Sequence, residues 1–415
     1  MNERVTFSRG KGGCWDRSDV EPRVREILDR KLRCRGTGPY AAKTNVQVIA
    51  TLEKVFKARG LDGVRIAEIS RMAGGASKEQ FSFLLKHAGD PGGERLVLRM
   101  DPLESIAQTC RGREAQIQSA MHGIVPVAPV IYVDAEGTEL GQPGLIAQFV
   151  HGVTKPSDIS STSVSGIGVR YDAWAGKLAP QFVDCLARIH GFDWRSRELS
   201  YFSAPTESTT QAALRQVNWW SRVWWEDLVE PVPIVTLAER WLRENALVCE
   251  SPVVVHGDYR IGNFMFEEPS GRFTAVLDWE LAHIGDLHED IAWVTQRLFG
   301  TWREDGEFLV CGLLPRQEFI EQYEARSGNR VDQERLRYYE VLNAYKCAVM
   351  ALGAAMRTAL HGNNHQDLVL TWLGSAGAVH LDQIVMLLES SALLKNERHA
   401  PGDRQGVVGG VSPAR

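Results

Sequence analysis

Apolar positions fall into two textures along the chain. From Val46 to Arg59 they recur at helical spacing, with Ile49, Leu52 and Phe56 on one face, and Gly60 ends the run. The pattern then shortens. Ile66–Ser70, Phe81–Leu85 and Arg95–Met100 read as strands, Ser105–Met121 as a helix, and Val130–Val133 and Leu145–Val150 as further strands around the turn-like Asp134–Gly144. After Gly152 helical spacing dominates: Asp172–Gly191, Gln211–Glu226, Val235–Ala246, Gln317–Arg326, Asp332–Leu360 and Gln366–Leu388. One strand-like island, Val253 to Leu277, interrupts the helices. The division that follows is a strand-rich N-lobe over residues 46–152 and a helical C-lobe over 153–395. Residues 1–45 mix charge, Gly and Arg without clear periodicity and read as a loose, partly disordered leader with a helix at Pro22–Leu32. Residues 396–415 are polar and rich in Gly and Pro, a disordered tail.

Composition narrows the class. A chain of 415 residues exceeds one typical domain and suits two lobes sharing a cleft. A net charge of −5 argues against a general nucleic-acid binder, whose footprint is basic. The seven cysteines are scattered, without a C-x-x-C pair, which fits a reducing compartment, so a cytoplasmic location is expected. The N-terminal residues lack the apolar core of a signal peptide. The longest apolar run, Cys347–Met356, is too short to span a bilayer, and no membrane partner is expected.

The chemistry concentrates in the island. Val253-Val254-Val255 leads into His256-Gly257-Asp258-Tyr259-Arg260-Ile261-Gly262-Asn263. Phe264-Met265-Phe266 is apolar again, Glu267–Gly271 turns, and Phe273–Leu277 returns to Asp278-Trp279-Glu280. One hairpin therefore gathers an Asp, an Asn five positions on and a second Asp at a strand end. Phosphoryl transfer needs that set: a carboxylate to orient a hydroxyl and take its proton, and hard oxygens for Mg²⁺ on the β- and γ-phosphates. Asp-x₄-Asn is also the spacing of base and metal ligand in the protein-kinase catalytic loop. Asx turns at strand ends would explain any one of these residues; they do not explain the whole string.

The strings HGDYRIGN and LDWELAHIGDLHEDIAW resemble the aminoglycoside phosphotransferase family, and particularly its branch associated with acyl-CoA dehydrogenases. The resemblance runs from about Val46 to Leu388. It implies an α+β, protein-kinase-like two-lobe fold, with a mixed N-lobe built on an antiparallel sheet and a helical C-lobe. It implies Asp258 as catalytic base, Asn263 and Asp278 as Mg²⁺ ligands, and a nucleoside triphosphate as donor, ATP or GTP. Within Gly285-Asp286-Leu287-His288-Glu289-Asp290, Leu287 stands where the family has Pro. Asp286 reads as a helix cap and Asp290 as a buttress of the catalytic loop.

The triphosphate needs its own holders. Gly74-Gly75-Ala76-Ser77-Lys78, between two strands, can bring backbone N–H groups to phosphate oxygens, with Gly74, Gly75 and Ser77 as candidates; an ordinary hairpin is the alternative. Arg99 closes a strand and Glu114 lies on the next helix; in this branch Arg commonly stands where protein kinases have Lys. Arg99 is therefore assigned to the phosphates with Glu114 as its partner, against a plain surface ion pair. Leu145–Gly152 resembles the linker between lobes, with backbone around Gln148 and Val150 meeting the base.

Three other features read as structural. His361 and His365 are four apart, but Gly362, Asn363 and Asn364 break helical geometry between them, so a loop is favoured over a metal site. Trp219, Trp220, Trp224 and Trp225 read chiefly as packing. His190 reads as part of a helix end. For the acceptor, the branch suggests a hydroxyacyl-CoA-like metabolite; an aminoglycoside or other antibiotic is the alternative. Glu226, Asp227 and Glu230 could attract a cationic sugar, and Arg215, Arg222, Arg240 and Arg243 an anion. A nucleotide-binding pseudokinase would lack a base or metal ligand, whereas Asp258, Asn263 and Asp278 are all present.

Overall fold

The computed structural model describes residues 18–72, 77–87, 89, 92–159 and 167–399, with side chains through Ser391. The chain opens on α1 (Pro22–Cys34) and α2 (Asn45–Ala58), then β1 (Arg65–Arg71), β2 (Glu79–Lys86), β3 (Glu94–Met100), α3 (Arg111–Ala120), β4 (Val130–Asp134) and β5 (Gly144–Gln148). The five strands form one antiparallel sheet in the order β1-β2-β3-β5-β4. Alternation decides its faces. Leu96, Leu98 and Met100 of β3 pack with Phe81, Phe83 and Leu85 of β2 against Val48, Leu52, Val55 and Phe56 of α2. Thr44 and Gln47 form a reciprocal capping box that starts α2. The other face of β3 carries Arg99, on the side where α3 lies across β4 and β5.

The second lobe holds α4 (Asp172–His190), α5 (Gln211–Asp227), α6 (Pro233–Glu244), β6 (Val253–Val255), β7 (Phe264–Phe266), β8 (Phe273–Val276), β9 (His283–Gly285) and α7 (His288–Val294). It continues through β10 (Thr301–Trp302), β11 (Phe308–Val310), β12 (Leu314–Pro315), α8 (Arg316–Ser327) and α9 (Gln333–Ala348). A π-helical stretch, Val349–Ala355, then leads into α10 (Met356–Leu360), α11 (Asp367–Ser375) and α12 (Gly377–His399). A mixed lobe on an antiparallel sheet and a mainly helical lobe are thus the architecture that the residue pattern implied.

Four particulars differ from the sequence expectation. The helix expected at Pro22–Leu32 is present as α1, but the segment is no loose leader: Val24 and Leu28 join Val20 in the core of the helical lobe. Lys31 and Arg35 pair with the buried Asp227, and Glu21 with Arg113. The start of α3 moves from Ser105 to Arg111, and the irregular segment before it is tied to its surroundings by Asp101 N–H on Pro143 O and Glu104 N–H on Asn363 O. Strands β10–β12 are too short for alternation to register. The helix expected to end at Leu388 continues to His399, past the start of the expected tail.

Asp367–Ser391 is the one stretch among the described residues long and apolar enough to cross a membrane by length and composition, and 28% of its apolar 18-residue window is buried. It is longer than the Cys347–Met356 run taken as the apolar maximum, and a turn at Ala376 divides it into α11 and α12.

Candidate active site

The β7–β8 hairpin brings the three expected residues together. Phe264 pairs with Val276, and Leu277 N–H donates to Asn263 O at 2.8 Å, so Asn263 faces Leu277 and Asp278 stands one residue beyond. Asp278 has φ +64°, a left-handed conformation that Asp tolerates better than most residues. Asp258 lies on the loop from β6 to β7. Its Oδ1 accepts from Arg260 Nε at 2.8 Å and Trp293 Nε1 at 2.9 Å. Its Oδ2 accepts from Asn263 Nδ2 at 2.7 Å. Burial pushes the Asp258 carboxyl above its ordinary value, opposed by the Arg260 guanidinium. The same Asn263 amide also donates to Asp258 O at 2.9 Å, so the oxygen that Asn263 has to offer a cation is Oδ1.

The loop is braced from below. His256 N–H and Gly257 N–H donate to the two oxygens of Asp290, at 2.7 and 2.9 Å. His190 Nε2 meets the same carboxylate at 3.1 Å while its Nδ1 meets Tyr323 OH, which is the structural role read from sequence. His256 uses both ring nitrogens: Nδ1 accepts from Asp258 N–H at 3.2 Å, and Nε2 donates to Leu277 O at 3.0 Å. Burial lowers the His256 pKa, so the ring is neutral and its tautomer follows from these partners. One imidazole therefore ties the segment bearing Asp258 to the strand end before Asp278. Gly257 has φ +80°, and a Cβ there would lie 2.7 Å from Leu281 O, so a side chain is excluded. Asp286 bonds His288 N–H at 3.0 Å, near the start of α7, and Arg335 at 2.8 Å.

Asp290→Asn should destabilise the protein by about 2–3 kcal/mol at neutral pH, because an amide offers one oxygen where two backbone N–H groups converge. Burial alone would raise the Asp290 carboxyl, but the His190 hydrogen bond and charge, with the His256 contribution, hold it below its ordinary value. Its stabilisation is thus fully present above the unfolded carboxylate range and is lost as pH falls through the lower folded value. Urea unfolding at pH 7 and below pH 4 reads this: the gap between wild type and variant should narrow in acid. A gap that is absent at pH 7 would leave Asp290 without a bracing role.

The expected cation and its partner also meet. Arg99 Nη1 contacts Glu114 Oε1 at 2.5 Å, and Arg99 Nη2 contacts Asp278 Oδ1 at 2.8 Å. Glu114 is fully buried, so this is no surface ion pair. The pair belongs to a larger buried network that the sequence reading missed. Arg111 contacts Glu114, Asp101 at 3.1 Å and Glu280 at 2.9 Å, and Lys78 contacts Asp101 at 3.2 Å and Glu280 at 3.3 Å. Burial alone would raise the Glu280 carboxyl, but Lys78 and Arg111 hold it low. The network joins the residue after Ser77 to the Asp278-Trp279-Glu280 segment. Arg113, beside Glu114 in sequence, points instead to Glu21 and to Ala282 O.

The remaining candidates are placed as follows. Gly74 and Gly75 lie outside the described residues. Ser77 is buried at the entry to β2. Gln148 is committed to the sheet, its N–H donating to Pro129 O and its side chain to Glu94, and Phe149 N–H donates to Arg95 O; Val150, half-buried, follows the strand. Trp219, Trp220 and Trp224 are buried, while Trp225 is partly exposed. Of the charges proposed to select an acceptor, Arg222 pairs with Asp29 and Glu226, Arg215 with Asp19, Arg240 with Glu244, and Arg243 with Glu239. Asp227 pairs with Lys31 and Arg35. Arg240 and Glu230 lie exposed at the surface, and the others are spent within the fold. Among the described residues, no cluster of three His, Cys, Asp or Glu could hold a metal, His361 and His365 included. A hard-oxygen pair, Asn263 and Asp278, suits Mg²⁺, which keeps several waters and binds through one or two carboxylates and phosphates.

Comparison with known proteins gives the family and the fold. A model of the phosphotransferase enzyme family matches residues 68–339. Acyl-CoA dehydrogenase family member 11 from Mus musculus is 25% identical over 324 residues, 75% of this chain and 39% of that protein. Family member 10 from Mus musculus is 26% identical over 203 residues, 48% of this chain and 18% of that protein. The chain thus spans about two fifths, or less, of the length of these relatives. Among solved structures, a Ralstonia eutropha JMP134 protein named as a candidate aminoglycoside phosphotransferase aligns with TM-score 0.57 at 21% identity, covering 82% of this chain and 98% of its own. A macrolide 2'-phosphotransferase type I aligns with TM-score 0.50 at 20% identity, covering 79% of this chain and 96% of its own. At these identities the likeness is one of fold, and the fold is kinase-like.

Proposed function

We propose that this chain, which belongs to the phosphotransferase enzyme family, is a small-molecule kinase that moves the γ-phosphoryl group of ATP or GTP onto a hydroxyl. The observation that carries the proposal is the hold on Asp258: a half-buried carboxylate with three side-chain donors, tied by His256 to the strand end that presents Asp278. Asp258 orients the acceptor hydroxyl and takes its proton. Asn263 and Asp278 hold Mg²⁺, which when bound neutralises charge on the β- and γ-phosphates. Arg99, fixed by Glu114, grips phosphate oxygens through two donors of one planar group. Gly74, Gly75 and Ser77 are the proposed holders of the phosphates, and the backbone from Gln148 to Val150 meets the base. Positioning and charge neutralisation supply most of the acceleration.

For the acceptor we propose a hydroxyacyl thioester such as a hydroxyacyl-CoA. The support is the similarity to acyl-CoA dehydrogenase family members over up to 75% of this chain. The pairing of Arg215, Arg222 and Arg243, and of Glu226 and Asp227, within the fold weakens the local charge argument for either an anionic or a cationic acceptor. The test is nucleotide consumption with hydroxyacyl-CoAs, aminoglycosides and macrolides at equal concentration. A hydroxyacyl thioester should give the highest kcat/KM. A higher value for any aminoglycoside would replace the acceptor and leave the kinase assignment standing.

A further inference from the structure

We infer that Trp293 is a positioning residue for Asp258, and that the oxygen it leaves free, Oδ2, is the one that takes the acceptor's proton. The inference rests on the reading of Asp258 as base. Trp293 is the penultimate residue of α7, 35 residues beyond Asp258, and is buried. Its ring is held between Phe299, with centroids 5.2 Å apart, and Lys346, whose Nζ lies 4.4 Å from the ring centroid. Lys346 Nζ also donates to Gly257 O at 2.9 Å, so the residue that holds the indole holds the loop bearing Asp258. Trp194 and Trp279 donate their indole N–H to the backbone carbonyls of Pro252 and Val276, whereas the buried indole N–H groups of Trp219 and Trp220 meet no acceptor. Trp293 spends its own on the carboxylate at the centre of the site.

The lone pairs then decide between the oxygens. A carboxylate oxygen accepts about two hydrogen bonds. Oδ1 has both, from Arg260 and Trp293. Oδ2 has one, from Asn263, and keeps one position for the acceptor hydroxyl. The carboxylate torsion of Asp is broad and roughly two-fold, so a single donor on Oδ1 does not fix its plane. Arg260 and Trp293 on Oδ1, with Asn263 on Oδ2, together do. In the transfer step the acceptor oxygen bonds to the γ-phosphorus as its O–H bond breaks. The proton goes to Oδ2, the bond from the γ-phosphorus to the β–γ bridging oxygen breaks, and the nucleoside diphosphate leaves with that electron pair.

Trp293→Phe keeps the ring and deletes the N–H. With MgATP and water as acceptor, kcat should fall about tenfold, within the 10²-fold that small misplacements cost, and KM for MgATP should stay within about twofold. In an Asp258→Asn background the same substitution should add nothing, since the two residues act as one unit. A substitution that only loosens packing would lower both backgrounds alike. An independent readout needs no turnover. In protein labelled with ¹⁵N at its 12 indoles, the signal lost in Trp293→Phe should shift upfield in Asp258→Ala. A Trp293 signal indifferent to Asp258→Ala, or an equal loss of kcat in both backgrounds, would overturn the inference. Wild-type protein that does not hydrolyse MgATP at all would count against the kinase reading, and the indole signal would then judge Trp293 by itself.

Discussion

Asp258→Asn should reduce phosphoryl transfer about 10³-fold while leaving nucleotide affinity within a few-fold of wild type. General-base catalysis contributes about 10²–10⁴, and an amide can neither take the hydroxyl proton nor carry the charge that aligns it. The fold around position 258 should survive. Arg260 and Trp293 can still donate to one amide oxygen, and Asp290 continues to hold the loop through His256 and Gly257. The nucleotide's proposed holders, Arg99, Asn263 and Asp278, are untouched. Transfer of γ-labelled phosphate, measured beside isothermal titration of the nucleotide, separates the two effects. Turnover near wild type would remove Asp258 from the chemistry.

Asp278→Ala should cost about 10²–10³ in transfer and most of the Mg²⁺ dependence of nucleotide binding. Removing one preorganised electrostatic element has effects of about this size in other enzymes. The substitution leaves Asn263 as the protein's one proposed ligand and frees Arg99 from its 2.8 Å contact, so that it pairs with Glu114 alone. Ala is also a poorer occupant of φ +64° than Asp, by roughly 1–2 kcal/mol. Asp278→Asn, which tolerates that backbone, isolates the charge. Titration of nucleotide with and without Mg²⁺ should show the metal-dependent gain shrinking in both variants. An undiminished gain in Asp278→Asn would make the residue a strand-end feature and not a metal ligand.

Much of this arrangement was legible because local periodicity and one string of residues encode it. Strands β1–β5 follow from alternation, the long helices from 3.6-residue spacing, and the juxtaposition of Asn263 and Asp278 from the turn between Phe266 and Phe273. Arg99 and Glu114 were reachable because a strand end and the next helix are close in sequence. What stayed hidden depends on contacts across the fold. Trp293 and Lys346 reach the loop bearing Asp258 from 35 and 88 residues beyond it. The sequence showed Glu280 and Lys78 individually, but 202 residues separate them before burial joins them. Two missed features had a local signal. Arg111 stands three residues before Glu114, a spacing that places both on one helix face, unlike the adjacent Arg113. Val24, Ile27 and Leu28 of α1 carry the helical repeat that anchors the N-terminal segment in the second lobe.

The most direct measurement is ³¹P NMR of the wild-type protein with MgATP and a hydroxyacyl-CoA, run beside Asp258→Asn. The account predicts that wild type converts the γ-phosphate signal into a new phosphomonoester signal in step with ADP, and that Asp258→Asn holds nucleotide but forms neither. Nucleotide bound by both proteins with no phosphomonoester from either, across every acceptor in the panel, would contradict it and leave a nucleotide-binding protein without transfer.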